Sequence, residues 1–158
     1  MAGIVGDTRG TPDISLSAAC NGSVDYYNTT DPSVAGWGTI CGTSEAGPLF
    51  SGIVALADQV AGHRLGDLNP DLYAMVRRGW LDGIVPISQG NNTFTFCPAT
   101  DIEPNGACAS GSDLVSLPGL SADGFYNNAT GWGTVDAAAF VPALARFATS
   151  RGLYFSQP

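Results

Sequence analysis

The chain has 158 residues, of which 44% are hydrophobic and only 13% are charged. This length is enough for one domain or for one part of a larger domain. Fourteen Asp and Glu residues stand against six arginines, so the formal charge is −8 at pH 7. This balance argues against a nucleic-acid-binding protein and against a polybasic membrane contact, because both need a cationic surface. No apolar run approaches the roughly 20 residues that a membrane-spanning helix requires.

The first third of the chain has the pattern of strands and turns. "PDISLSA" (12–18) alternates apolar and small polar residues, which predicts a strand. "SVDYYN" (23–28) is β-prone, and "GWGTIC" (36–41) follows it after a turn-forming segment. We expect these two segments to pair as antiparallel strands. The whole stretch 9–41 is therefore interpreted as strands that precede the next helix.

The clearest helix covers residues 45–61, within a segment 42–62 that ends at Gly62. Its apolar side chains are distributed over more than half of the helix circumference. This width predicts a helix that is buried on most sides.

Two further helices are predicted after it. "LNPDLYAMVRRG" predicts a helix with Asn69 as N-cap and Pro70 in its first turn. Residues 83–136 lack a long periodic segment, and so they are predicted to be loop-rich, with a short strand at "TFTF" (93–96). In the C-terminal helix, 136–150, Asp136 is the predicted cap, and Pro142 leads us to expect the main helix to begin near Val141.

The chain has four cysteines, Cys20, Cys41, Cys97 and Cys108, which allow three pairings. The pairing of neighbours, Cys20–Cys41 and Cys97–Cys108, is the simplest, and four free thiols are the alternative. There is no CxxC pair and only one histidine, His63, so a zinc site is not expected. Disulfides, acidity and four Asn-x-Ser/Thr sequons are typical of a secreted protein.

Ser44 in "GTSEAGP" (42–48) is the candidate with a chemical interpretation. A serine hydroxyl is a weak nucleophile until a base accepts its proton. The N-terminus of a helix offers partial positive charge and unpaired N–H groups where an oxyanion develops. Gly42 lets a substrate backbone approach closely, and Thr43 lies beside it. The alternative is that Ser44 or Thr43 only caps the helix.

Four segments together resemble one family. "RGTPDISLSA" (9–18), "GTSEAGPLFSGIVALADQ" (42–59), "GDLNPDLY" (66–73) and "ATGWGTVD" (129–136) resemble, in this order, segments of the sedolisins, the serine-carboxyl peptidases. The resemblance covers residues 9 to about 148. It implies an α/β, subtilisin-like fold with a mostly parallel sheet and helices on both faces. This chain, 1–158, would supply only the C-terminal portion of that catalytic domain.

The resemblance implies a function as well. Ser44 corresponds to the nucleophile of a serine-type endopeptidase that cleaves proteins through an acyl-enzyme. The base Glu, its Asp partner and the oxyanion Asp of the family precede the "RGxPD" segment, so they have no counterpart here. The chain alone is expected to be inactive and to need the missing N-terminal part of the same domain as a partner. A carboxylate base implies activity at acidic pH.

The resemblance also implies a calcium site. Asp101 and Ile102 in "TDIEPNG" match the first calcium-binding pair of the family, and Gly124 matches a carbonyl donor. The second carboxylate is missing, because Phe125 and Tyr126 stand where the family has Trp-Asp; Asn127 or Asp123 is the expected substitute. The alternative is a solvated acidic loop without a metal.

Other conspicuous residues are interpreted as structural. Asp13 is expected to bond backbone near the site, His63 to lie at a helix end, and the three tryptophans to pack in the core or loops. Two other functions stay open. One is a non-catalytic secreted remnant or binding module, and the other is an ordinary subtilisin-type peptidase with an upstream His base.

Overall fold

The computed structural model describes residues 10–104 and 107–155. Within these ranges the helices are α1 (Thr43–Ala61), α2 (Asn69–Arg77) and α3 (Ala137–Phe155), with one 3₁₀ turn, Ala99–Asp101. The strands of the described residues are β1 (Val24–Asn28), β2 (Gly36–Ile40), β3 (Ile84–Val85), β4 (Phe94–Phe96), β5 (Val115–Leu117) and β6 (Thr134–Val135).

The core lies where α1 and α2 pack against α3. Phe140, Leu144 and Phe147 recur at helical spacing along α3 and are each 1% exposed. Ala57 of α1 and Met75 of α2 are fully buried in the same cluster. The hydrophobic free energy of this chain is therefore concentrated in a three-helix cluster built around α3.

The strands form three antiparallel pairs: β1 with β2, β3 with β6, and β4 with β5. The chain thus mixes helices and short strands, and the α/β composition is confirmed. The mostly parallel sheet that the resemblance implied is not formed by the described strands. Pairing β1 with β2 agrees with the prediction for 23–28 and 36–41.

Residues 12–18 do not form the predicted strand, because they are not part of a β-ladder. This segment is connected to residues 130–133 by only a few hydrogen bonds, among them Trp132 N–H to the Asp13 carbonyl at 2.9 Å and Ser15 N–H to the Gly133 carbonyl at 2.8 Å. Pro12 has no N–H to donate, and the alternation of side chains alone does not supply a partner strand.

Two helix starts differ from the predictions. The N-cap of α2 is Leu68, and Asn69 is already helical. Helix α3 begins at Ala137 and runs through Pro142 without a break. Asp136 does cap it, since its Oδ1 accepts the Ala138 N–H at 3.0 Å. Pro142 removes one backbone hydrogen bond near this anchored end, and the buried face of α3 offsets that loss.

Helix α1 is less buried than its apolar surface predicted. Only Glu45 and Ala57 are buried among its residues. Leu49, Leu56 and Val60 are 41%, 52% and 58% exposed. The reason is that α3 covers one side of α1, and no other described element packs extensively against the opposite side.

Candidate active site

Ser44 lies in the first turn of α1, and its residue is exposed. The N-cap of the helix is Gly42, with φ 77° and ψ −164°, and no side chain forms a capping hydrogen bond. The Gly42 carbonyl accepts the N–H groups of Glu45 and Ala46 at 3.0 and 3.2 Å. Helix capping by the hydroxyl of Ser44 or Thr43, the alternative considered from the sequence, therefore does not explain Ser44.

The turn before Ser44 is held from two directions. Cys41 is bonded to Cys20, with their Cα atoms 4.9 Å apart. The Gly42 N–H donates to the Ala18 carbonyl at 2.7 Å. The positive φ of Gly42 favours glycine, because a Cβ is disfavoured there. These constraints place the start of α1 at a defined position relative to the segment 12–18.

Pro48 changes the hydrogen bonding of the first turns of α1. In a regular helix the N–H of residue 48 would donate to the carbonyl of Ser44, and proline has no N–H. Ser44 thus lies in a turn where its carbonyl lacks the regular helical donor. The N-terminus of α1 also carries the partial positive charge of a 19-residue helix. This partial positive charge can stabilise negative charge on an oxygen close to the Ser44 hydroxyl.

Within the part of the chain that the structure describes, no base reaches Ser44. Within the described residues its hydroxyl makes no hydrogen bond. His63 is exposed, its Nδ1 lies 2.9 Å from the Arg64 carbonyl, and it follows the far end of α1, roughly 27 Å from Ser44 at 1.5 Å per residue.

Glu45, the residue after Ser44, has an unusual environment. It is 2% exposed, and its Oε2 has no hydrogen-bond partner among the described residues. Buried carboxylate oxygens in folded proteins are nearly always paired. Nothing in the residue pattern around Ser44 predicts this burial.

Asp13 forms a hydrogen bond with Tyr73 that was not predicted from the sequence. Its Oδ1 accepts the hydroxyl of Tyr73 at 2.6 Å, while its backbone carbonyl accepts the Trp132 N–H. Burial first, and the hydrogen bond to Asp13 second, raise the pKa of the Tyr73 phenol well above its usual value. Asp13 therefore holds α2 and the 130–133 turn together, which fits the expected structural role.

An apolar pocket opens beside this contact. It has a volume of about 220 Å³ and is lined mainly by apolar side chains of α1, α2 and α3, with the side chains of Asp13 and Asn69 as its polar members. Phe50 is the α1 residue on its wall, almost two turns after Ser44. The pocket and Ser44 therefore both lie along the N-terminal half of α1.

The residues of the predicted calcium site take part in hydrogen bonds of their own loops. Asp101 Oδ1 accepts the Thr100 hydroxyl at 2.9 Å, and the Gly124 carbonyl accepts the amide of Asn127 at 3.4 Å. No group of three or more His, Cys, Asp or Glu side chains comes together in 10–104 and 107–155. Calcium sites gain affinity from several carboxylates, and neither Asp101 nor Asp123 belongs to a group of three potential ligands in these ranges. Ile102 lies beside Asp101 in a β-bridge with Cys108.

Both predicted disulfides are present, Cys20–Cys41 and Cys97–Cys108.

The three tryptophans differ in how they are packed. Trp80 packs against Phe147, and Trp132 packs against Tyr126, with ring centroids 5.4 and 4.7 Å apart. Trp37, also expected to be packed, is 78% exposed and contacts the ring of Tyr27 on the β1–β2 hairpin. A two-stranded hairpin buries little of either face, which explains this difference.

Comparison with known proteins adds one relative. The chain is 35% identical over 97 residues to tripeptidyl-peptidase SED4 of Arthroderma otae, a match that spans 59% of this chain and 14% of that protein. The similarity supports a sedolisin-related region. No family model matches the chain, and no solved structure matches it. None of the helices in the described residues is long and apolar enough to cross a membrane.

Proposed function

We propose that this chain is the C-terminal portion of a serine-carboxyl peptidase domain and that Ser44 is its nucleophile. One observation carries the proposal: Ser44 is exposed in the first turn of a long helix, while glycine, not a hydroxyl side chain, occupies the cap. The similarity to a tripeptidyl-peptidase supports it independently of this geometry.

The proposed chemistry is acyl transfer. The Ser44 Oγ attacks the carbonyl carbon of a peptide bond, and a base accepts its proton. The negative charge on the former carbonyl oxygen is stabilised by the N-terminus of α1. The C–N bond then breaks, the amine leaves with a proton, and water hydrolyses the ester on Ser44.

The base and the oxyanion partner are proposed to be carboxyl groups from a part of the polypeptide outside these 158 residues. Two structural features support such a missing partner. The Glu45 Oε2 is buried and unpaired, and the apolar side of α1 that carries Leu49, Leu56 and Val60 is open. A packed domain would satisfy the first and cover the second.

A carboxylate base also determines the pH range in which we propose that the peptidase is active. It accepts a proton at acidic pH, where a histidine base would already be protonated. Substrates are proposed to be proteins or peptides, and the compartment extracellular, since two disulfides persist in oxidising surroundings.

The test is a chimera in which this chain replaces the matched region of tripeptidyl-peptidase SED4. We expect peptide hydrolysis at acidic pH, and we expect Ser44→Ala to lower kcat by at least about 10³-fold. Ser51→Ala is the matched control, because Ser51 is an exposed serine of the same helix whose hydroxyl donates to the Gly47 carbonyl. A chimera whose activity survives Ser44→Ala would disprove the nucleophile assignment.

The products of the same assay decide the mode of cleavage. Internal fragments from a long peptide indicate an endopeptidase, and stepwise loss of N-terminal tripeptides indicates a tripeptidyl-peptidase. A chimera that folds, binds peptide and yields neither product would favour the alternative of a non-catalytic remnant.

A further inference from the structure

Asn127 uses every hydrogen-bonding group that it has. Its residue is 6% exposed. Its Oδ1 accepts the N–H groups of Ala129 and Thr130 at 3.1 and 2.9 Å and the Thr130 hydroxyl at 3.0 Å. Its Nδ2 lies 3.3 Å from the Ile87 carbonyl and 3.4 Å from the Gly124 carbonyl. Its backbone also exchanges two hydrogen bonds with Gly131.

We propose that the Asn127 carboxamide organises this loop in place of a metal ion, so that the 124–131 loop folds without calcium. A bound cation can hold two main-chain carbonyl oxygens close together. The amide NH₂ of Asn127 can do the same by donating a hydrogen bond to each of them.

The donor pattern around Asn127 opposes cation binding. Calcium binds six to eight oxygens, each with a lone pair directed at the ion. At Asn127 the two carbonyls are directed at an amide nitrogen, and the side-chain oxygen is approached by three hydrogen-bond donors. The nearby acid Asp123 contributes to no cluster of three potential ligands in the described residues.

The loop also bears on the candidate active site. The residues that Asn127 organises contact the segment that precedes the helices: the Ser15 hydroxyl donates to the Thr130 carbonyl at 3.1 Å, and the Trp132 N–H donates to the Asp13 carbonyl. That segment continues to Ala18, whose carbonyl accepts the Gly42 N–H. Backbone contacts therefore connect the loop that contains Asn127 to the turn that contains Ser44.

Thermal unfolding of the 158-residue chain at low concentration tests the proposal without an activity assay. We expect the Tm to differ by less than about 1 °C between about 5 mM calcium, which exceeds the Kd of weak calcium sites, and excess chelator, which removes free calcium. A chelator-induced fall of several degrees would overturn the proposal.

Two variants make the test specific. Asn127→Asp keeps the shape but removes the NH₂ donors, and we expect a fall in Tm of about 4–8 °C in chelator, the effect of two lost hydrogen bonds. Asp101→Asn removes the expected metal carboxylate, and its Tm should be equally insensitive to calcium and chelator. An unchanged Tm for Asn127→Asp, or a loss of calcium stabilisation in Asp101→Asn, would contradict the proposal.

Discussion

Tyr73 and Asp13 form the contact that shows most directly how single side chains hold this chain together. The phenol of Tyr73 donates to Asp13 across 60 positions of sequence, and its ring packs edge-on against Trp132 at 5.7 Å. Three segments that are distant in sequence meet there: the 12–15 segment, α2 and the 130–133 turn. A hydrogen bond to a carboxylate is worth about 1.5–3 kcal/mol, more than a neutral one.

The raised pKa of Tyr73 makes this contact sensitive to alkaline pH. The folded state holds the phenol proton more tightly than the unfolded chain, whose phenol has an ordinary pKa of 10.0. The stabilisation is therefore complete below about pH 10 and decreases as the pH rises above it. We expect Tyr73→Phe to lower the unfolding free energy by about 2 kcal/mol at pH 8 and by clearly less at pH 11.

Urea unfolding at both pH values measures this difference. Tyr27→Phe is the control, since the Tyr27 ring is 58% exposed on the β1–β2 hairpin. A Tyr73→Phe deficit of the same size at pH 8 and pH 11 would show that the phenol proton has no part in the contact.

At the scale of elements, glycines set how closely neighbouring segments approach. Gly83 precedes β3, and its φ is 76°. Its carbonyl accepts the Asp136 N–H at 2.8 Å, and a Cβ at Gly83 would collide with the backbone of Phe140 in the first turn of α3. The pairing of β3 with β6 and the start of α3 thus depend on the absence of a side chain at one position.

Gly79 provides a matched comparison for Gly83. Its φ is 75°, and no atom lies within 4 Å of the Cβ that alanine would add. We expect Gly79→Ala to cost about 1–2 kcal/mol from backbone conformation alone. Gly83→Ala should cost about 1–3 kcal/mol more, because close packing against α3 is added to the same backbone strain.

Chemical denaturation of the two variants under identical conditions gives the two costs. Equal free energies of unfolding for Gly79→Ala and Gly83→Ala would mean that the approach of residue 83 to α3 contributes nothing to stability.

At the scale of the whole molecule, α1 presents an open apolar side. Leu49, Leu56 and Val60 recur on one side of the helix, and each is more than 40% exposed. Exposed apolar patches of this kind are interaction sites or lead to association. In the proposed function, this side faces the rest of the peptidase domain.

We expect the isolated chain to self-associate at micromolar concentration through this side of α1. Leu56→Glu should shift it toward the monomer in sedimentation velocity, whereas Gln59→Glu, an exposed polar position of the same helix, should not. In the SED4 chimera, Leu56→Glu should lower the yield of folded protein, because it places a charge against the covering layer. If Leu56→Glu self-associates as strongly as the unmodified chain, the contact between copies does not involve this side of α1.

We further expect the isolated chain to hydrolyse no peptide between about pH 3 and pH 8. Ser44 has no base among the described residues, and loss of the base removes most of the rate of a serine nucleophile. A fluorogenic peptide assay on the purified chain, with Ser44→Ala beside it, measures this. Turnover by the isolated chain that disappears in Ser44→Ala would show that the chain carries its own base.

The amino-acid sequence by itself determined the local elements with strong signals. The apolar spacing of 45–61, the Asp136 cap and the paired β-prone segments 23–28 and 36–41 each correspond to an observed element. These features are local, because helix periodicity, capping and hairpin formation depend on residues close in sequence. The role of Ser44 stays a proposal, although the segment that contains it lies at the start of a helix as its pattern predicted.

Only the tertiary structure decided which surfaces are covered and which polar groups are paired. The sequence did not show that α1 keeps an open side, that Glu45 is buried or that Asn127 connects its own loop to Ile87. It also did not show that 12–18 lacks a partner strand. Burial and pairing depend on contacts between residues far apart in sequence, and residue patterns within one segment contain no information about which distant segment will pack against it.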